Sequence, residues 1–269
     1  MPNVSRAFGG PTESMIGYVS AASTQDITAH VAAPRVGEAD REWLTNALPA
    51  STTLHEFASL GRHAWVLAPG LWTWLAQNGH CYDAVHVHGL FNPISSISAR
   101  IAVARNMPLV MRPFGTLSRY TFSRRSTLKN LYFRLLDRPA LLRANAVHFT
   151  TEAEREEAKR HDLSLNGRSH VVPPPWRGDV GAVDNAKKTE HPTVLFMSRL
   201  HPKKNITGLL EAWQSVSQAY PKAELIIAGS GGDEYTDMLH ERVDDLELEQ
   251  SVSFPGFVTG EEKARLLRT

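Results

Sequence analysis

One cysteine, Cys81, stands in a chain of 269 residues. A lone thiol excludes an intrachain disulfide framework and fits a reducing compartment. It reads as a small, partly buried side chain. Excess charge of either sign is also lacking. Lys and Arg number 29 against 28 Asp and Glu, a formal net charge of +1, so there is no global footprint for nucleic acid. No apolar run approaches the ~18–20 residues of a membrane-spanning helix. The first ten residues carry one arginine with no apolar core behind it, unlike a signal peptide. These absences lead us to expect a cytoplasmic protein whose contact with a membrane is peripheral, at the inner face.

Several catalytic signatures are missing as well. Gly-x-Ser-x-Gly does not occur, nor does a Walker-type phosphate loop, and no Gly-x-Gly-x-x-Gly follows the first strand. A nucleophile-elbow hydrolase, a P-loop NTPase and a dinucleotide dehydrogenase are therefore disfavoured. His86 and His88 alternate along a strand and so share a face. No further ligand follows at metal spacing, so no metal is expected. His88, at the strand end, is read as facing a cleft.

What the chain does have is alternation. Apolar runs at Ile27–Ala33, Asp83–His88, Pro108–Arg112, Ala146–Thr150 and His170–Val172 are separated by helical patterns such as Ser95–Arg105. Thr151-Glu152-Ala153-Glu154 reads as a capping box opening a helix through Arg160. Arg177–His191, polar and without apolar period, reads as an interdomain linker after Pro173-Pro174-Pro175. A second series follows: strands at Thr193–Ser198, Glu224–Ala228 and Ser251–Phe254, an amphipathic helix at Asn205–Tyr220, and a helix at Tyr235–Leu246. In the first of these helices Ile206, Leu209, Leu210, Trp213 and Val216 form one face. Strands alternating with helices predict an α/β fold with parallel sheets whose carboxyl ends bind ligands. We read residues 1–178 as one Rossmann-like domain without its first strand, 179–191 as linker, and 192–269 as a second, incomplete one. The final stretch, Glu261–Thr269, looks like a helix just begun.

Four features carry candidate chemistry. Arg199 stands at a strand's carboxyl end, and Lys203 and Lys204 stand just before a helix N-terminus. A guanidinium fork, two ammonium groups and free helical N–H groups suit a diphosphate. Gly229-Ser230-Gly231-Gly232 follows the next strand, and Gly9-Gly10 opens the chain's first turn. Glycines at both places allow close approach of a ligand to the backbone, as in a nucleotide held in an interdomain cleft. Gly256 and Phe257 follow the third strand, where an aromatic and exposed backbone could hold a nucleobase; a core role for Phe254 and Phe257 is the competing reading. Residues 118–143 hold Arg119, Arg124, Arg125, Lys129, Arg134, Arg138 and Arg143 against one acid, Asp137, with Tyr120, Phe122, Tyr132 and Phe133 interleaved. Such a segment suits an anionic membrane surface or an acidic acceptor; a solvated helix packed on the sheet is the plainer alternative.

In that order, Ser198-Arg199-Leu200-His201-Pro202-Lys203-Lys204-Asn205, Leu225–Gly231 and Val252–Val258 resemble the donor domain of family-4 retaining glycosyltransferases. Gly9-Gly10-Pro11, Asp83–Gly89, Pro113-Phe114-Gly115-Thr116-Leu117 and Val147–Glu156 resemble motifs of that family's first domain. The resemblance implies the GT-B architecture of two Rossmann-like domains, the second incomplete here. It implies transfer of a sugar from a UDP- or GDP-linked donor to a saccharide or lipid-linked acceptor, with retention of configuration and no cofactor. By the same resemblance Arg199 and Lys204 hold the diphosphate, Gly9, Gly10 and Gly229 belong to the donor site, and Gly256 and Phe257 border the base. Two departures stand out. Phe114 occupies a position that is often His in the family, leaving Arg112 and His88 as the candidates for a catalytic part. The family's two glutamates, seven residues apart, find no counterpart in the adjacent Glu261 and Glu262. An inactive fragment or pseudoenzyme that binds a nucleotide sugar or a partner, and a nucleotide-sugar epimerase of the same architecture, are the alternatives.

Overall fold

The computed structural model describes residues 1–61, 65–123, 126–175 and 191–268. The chain divides into two compact units, Met1–Arg177 and Gly178–Thr269. Of the linker expected at 179–191, all but His191 lies outside the described residues, as do Arg124 and Arg125.

In the first unit β1 (His30–Pro34) pairs in parallel with β2 (Thr53–Phe57). A second parallel sheet runs in the order β3 (Val85–His88), β4 (Leu109–Arg112), β5 (Ala146–Phe149), β6 (Ser169–Val171). Helices cover both sheets: α1 (Gly10–Ser23), α2 (Glu38–Ala47), α3 (Pro69–Asn78), α4 (Pro93–Ala104), α5 (Arg119–Ser123), α6 (Ser126–Tyr132), α7 (Arg138–Arg143) and α8 (Glu152–Lys159). Side chains alternate along the strands. Val87, Met111, Val147 and Phe149 therefore face one core, with Leu75, Ala99, Ala102 and Leu141 from the helices. Helix α4 starts where Asn92 accepts the Ser95 N–H at 2.8 Å, with Pro93 as its first residue.

The strands β1 and β3 are not hydrogen-bonded to each other. Residues before the Gly9-Gly10 turn form no strand. The Met1 ammonium donates to the Ala32 carbonyl at 2.9 Å, and Val4 is fully buried against β1. A groove between the two sheets is lined by His30, Ala32, Trp74, Val85, Val87 and Ile94.

Phe133–Asp137 winds as a π-turn between α6 and α7. Pro139 explains part of this. It has no N–H to return to the Leu135 carbonyl, and the Arg100 guanidinium fills that vacancy at 2.9 Å. Asp137, at the end of the turn, is fully buried. It accepts the Phe91 N–H at 2.9 Å and the Ser96 hydroxyl at 2.5 Å, and the Tyr132 hydroxyl donates in turn to Ser96. A buried carboxylate thus ties the helical segment to the loop after β3.

The second unit holds β7 (Thr193–Met197), β8 (Glu224–Ala228) and β9 (Val252–Gly256) as a parallel sheet in that order. Helices α9 (Ile206–Ala219), α10 (Asp233–Asp245) and α11 (Gly260–Leu266) accompany it. Ile206, Leu210 and Trp213 are buried against Leu225, Ile227 and Leu239. Val216, expected on that face, is exposed in the last turn of α9. Cys81, expected to be partly buried, is exposed at the end of a short 3-10 turn after α3.

The buried Asp137 generates a pH prediction. Burial raises its pKa from 3.8 to about 6, against the opposing hydrogen bonds from Ser96 and Phe91. A raised folded pKa means that the protonated form is favoured on folding. Its stabilisation is complete below 3.8 and is lost as pH rises through about 6. Urea melts of the wild-type chain should therefore show a fall in stability across that window, and Asp137→Asn should flatten it. Parallel pH profiles for the two proteins would contradict the assignment.

Candidate active site

The second unit brings three turns together at the carboxyl edge of its sheet. The Ser198 N–H donates to the Ala228 carbonyl at 3.0 Å, the Leu200 N–H to Ser230 at 2.8 Å, and the Gly229 N–H to Gly256 at 2.7 Å. The turns after β7, β8 and β9 are thus laced into one surface. Gly229 has φ +149°, and a Cβ there would collide with the Ser198 carbonyl oxygen. Gly231 is hemmed in by the Leu200 carbonyl in the same way. Both glycines therefore have a packing reason, the contact between the first two turns. Gly256 differs: its φ is +80°, and the space where a Cβ would project is open.

Arg199 leaves this surface at the end of β7 and is exposed. Pro202–Lys204 forms one 3-10 turn, whose start His201 caps by accepting the Lys203 N–H at 3.1 Å. Asn205 then adopts the left-handed conformation, φ 52°, and turns the chain into α9. Its side chain makes no cap bond to the helix. The N–H groups of Ile206, Thr207 and Gly208 have no hydrogen-bond partner among the described residues. Three free donors and the positive end of a helix dipole stand directly after the Lys204 ammonium. Phe254 packs on the core beside His240, with ring centroids 4.5 Å apart. Phe257 is 67% exposed beyond Gly256. The two aromatics therefore separate: one belongs to the core, the other to the surface.

The first unit has its own polar layer on the sheet face opposite the apolar core. The rings of His86 and His88 lie tilted against each other with centroids 4.3 Å apart, and the His148 ring centre lies 5.4 Å from that of His86. Tyr18 of α1 donates to the Val172 carbonyl at 2.8 Å and meets His148 Nε2 at 3.2 Å. Arg112, at the carboxyl end of β4, is 1% exposed. Its guanidinium carbon lies 4.7 Å from the Tyr18 ring centre and 4.0 Å from that of Phe114. Its Nε and Nη1 are buried without a hydrogen-bond partner among the described residues. Burial lowers the Arg112 pKa. Burial, helped by the neighbouring His86, holds His88 well below the usual imidazole value, so it is neutral. His88 is itself buried in this layer, with its Nδ1 short of a hydrogen-bond partner among the described residues.

Gly9 caps α1 with φ 70° and ψ −131°, a conformation open to glycine, and Gly10 starts the helix ahead of Pro11. Above both glycines the space is open. Glu154, read as half of a capping box, does more. Thr151 accepts its N–H at 3.1 Å, as in that motif. The carboxylate, however, accepts from the Thr150 N–H and hydroxyl at 2.7 Å and from the Gly115 N–H at 2.6 Å. It pins the 113–117 turn to the start of α8. Sequence reading missed the roles of Glu154, Tyr18 and Asp137; a buried acid in an otherwise basic stretch was the signal for the last.

Residues 17–175 match the family described as "Glycosyl transferase 4-like domain", and residues 182–269 match "Glycosyl transferases group 1". Over 111 residues the chain is 34% identical to an alpha-monoglucosyldiacylglycerol synthase of Streptococcus pneumoniae. That match covers 41% of this chain and 21% of the synthase, so the chain spans about a fifth of that relative's length. The fold is similar to HepE of Anabaena, solved in complex with UDP and glucose. There the TM-score is 0.70 and the identity 19%, covering 99% of this chain and 70% of that one. A sucrose-phosphate synthase of Thermosynechococcus elongatus gives a TM-score of 0.64 at 15% identity, over 97% of this chain and 68% of its own.

The laced turns predict a graded response to a single methyl group. Gly229→Ala should lower stability by about 2–3 kcal/mol, since it meets backbone as well as an unfavourable φ. Gly256→Ala, with open space around it, should cost only about 1–2 kcal/mol. Denaturant melts followed by far-ultraviolet circular dichroism measure both. Equal losses would show that the two turns are not in the contact described.

Proposed function

From the premise that this chain belongs to the glycosyl transferase 4-like, group 1 family with the GT-B fold, we propose that it transfers a sugar from a UDP- or GDP-linked donor to a saccharide or lipid-linked acceptor, with retention of configuration. The observation that carries this reading is the set of three unpartnered N–H groups at the start of α9, which follow Lys204 directly and Arg199 by one short turn in the chain. A diphosphate is the ligand that such a set of donors suits.

In the reaction, the bond between the sugar's anomeric carbon and the β-phosphate oxygen breaks, and an acceptor hydroxyl oxygen bonds to that carbon. Negative charge grows on the departing diphosphate. Arg199 and Lys204 would stabilise that charge more strongly than they stabilise the ground state, which is what lowers the barrier. The same cations neutralise the leaving group without a metal ion. The acceptor hydroxyl proton passes to the leaving phosphate, the base that the reaction itself generates. Phe257 and the open backbone at Gly256 would border the nucleobase.

For the acceptor, the similarity to a synthase named for a glucosylated diacylglycerol favours a lipid-linked hydroxyl. Arg112 is the first-unit residue best suited to an acceptor, because it is a buried cation short of partners. The basic segment 118–143 would place the chain against a membrane from the cytoplasmic side; no helix among the described residues is long and apolar enough to cross one.

Isothermal titration with UDP and GDP tests the donor site without requiring turnover. The wild-type chain should bind at least one of them, and Arg199→Ala combined with Lys204→Ala should weaken that binding about a hundredfold. Unchanged affinity in the double variant would remove the diphosphate role from both residues.

A further inference from the structure

Helix α8 and the residues just after it hold the 113–117 turn at two points. At the start of the helix the Glu154 carboxylate accepts the Gly115 N–H at 2.6 Å. Just past its end His161 Nε2 meets the Leu117 carbonyl at 2.9 Å. A carbonyl only accepts, so Nε2 carries the ring proton in that contact. The His161 ring is itself fixed by two others: the Phe122 ring centre lies 4.3 Å away and that of Phe133 5.4 Å away. Whatever moves His161 therefore moves the turn that follows Arg112.

His161 also lines a cavity of about 480 Å3, a size within the ~300–1,000 Å3 of small-molecule sites. Arg134 and Arg138 reach it from the run that joins α6 to α7, and Arg160 from the end of α8. Arg138 is engaged, since its Nη2 donates to the Asp162 backbone carbonyl at 3.2 Å. Among the described residues, neither the Arg134 nor the Arg160 side chain has a hydrogen-bond or ion-pair partner. Asp162 supplies the single carboxylate of the lining. Three guanidinium groups against that one acid leave an excess of two positive charges in a concave site.

We propose that this cavity binds the phosphate group of a soluble phosphate monoester, and that its occupancy steadies the 113–117 turn through His161. A phosphate monoester carries about −1.5 to −2 charges near neutral pH. That balances the excess, and its terminal oxygens suit guanidinium forks. Inorganic phosphate satisfies the charge but leaves much of the cavity unfilled, so an organic remainder belongs there. The cations converge from two helical segments on a hollow, which fits a small molecule rather than a flat surface. Arg160 and His161 are chain neighbours, so ordering Arg160 on a phosphate restrains the ring that holds Leu117. A ligand that binds the ordered arrangement better shifts the population toward it. On the acceptor reading of Arg112, on which this last consequence rests, such a ligand regulates acceptor binding.

Isothermal titration of the full chain with glucose 6-phosphate, inorganic phosphate and glucose tests this. Wild type should bind the sugar phosphate with a Kd of about 1 mM or below, about tenfold more tightly than inorganic phosphate, and glucose not at all. Arg134→Ala with Arg160→Ala should weaken the sugar phosphate at least about tenfold. Both side chains are exposed, so the fold survives their loss. Hydrogen exchange of the peptide carrying Gly115 and Leu117 should slow about threefold when the ligand binds wild type, and stay unchanged in the variant. No binding in wild type, or full affinity in the arginine variant, would overturn the proposal. Equal affinity for inorganic phosphate would overturn the monoester assignment, and binding without slower exchange would overturn the coupling. Arg199→Ala with Lys204→Ala should keep the sugar-phosphate affinity; its loss there would move the ligand to the donor residues. None of these readouts needs turnover or an acceptor, so the acceptor reading of Arg112 stands or falls separately.

Discussion

The contact between two backbone turns in the second unit underlies the proposed donor site. The turn after β7 and the turn after β8 approach so closely that Gly229 and Gly231 leave no room for a side chain against Ser198 and Leu200. Hydrogen bonds from Ser198, Leu200 and Gly229 fasten these turns to each other and to Gly256. With the turn after β7 fixed in this way, Arg199 is held at the sheet edge. The left-handed Asn205 then turns the chain into α9. A diphosphate site needs donors that do not reorganise when charge arrives, and this lacing supplies that rigidity from main-chain atoms alone.

The first unit follows a different principle. Its sheet carries apolar side chains on one face and three histidines with an arginine on the other. Burial keeps His88 neutral, so Arg112 remains the charged member of that layer beside His88 and His148. Aromatic faces of Tyr18 and Phe114 offset part of the cost of burying it. An arrangement of this kind is expensive for stability and is understandable where a cation must be kept ready for a partner. Glu154 serves the same region by holding the 113–117 turn, through Gly115, against the helix that begins at Glu152.

Much of the second unit was legible in the sequence because its signals are local. Glu224–Ala228 is an apolar run bounded by turn residues, and α9 shows its period through Ile206, Leu210 and Trp213. The basic run after β7 sits between two such elements, so its place at the sheet edge could be inferred. The first unit was read less completely. Strand β2, Thr-Leu-His-Glu-Phe, is half-buried and carries polar residues at alternate positions, and its identity depends on pairing with β1, itself displaced from the apolar run at 27–33. Helix α2 buries one leucine and is otherwise polar, so its period is faint. The expected N-cap at Thr151 was correct, while the reach of Glu154 to Gly115, 39 residues away, has no local signature. The π-turn also needed the structure, since Pro139 marks only its end and the partner for the freed carbonyl is Arg100.

A crystal structure of this chain with UDP bound would test the central claim most directly. The account predicts the diphosphate oxygens within hydrogen-bond distance of the Arg199 guanidinium, the Lys204 ammonium and the N–H groups of residues 206–208. A nucleotide whose diphosphate lies away from all three, for instance among Arg134, Arg138 and Arg160, would contradict it.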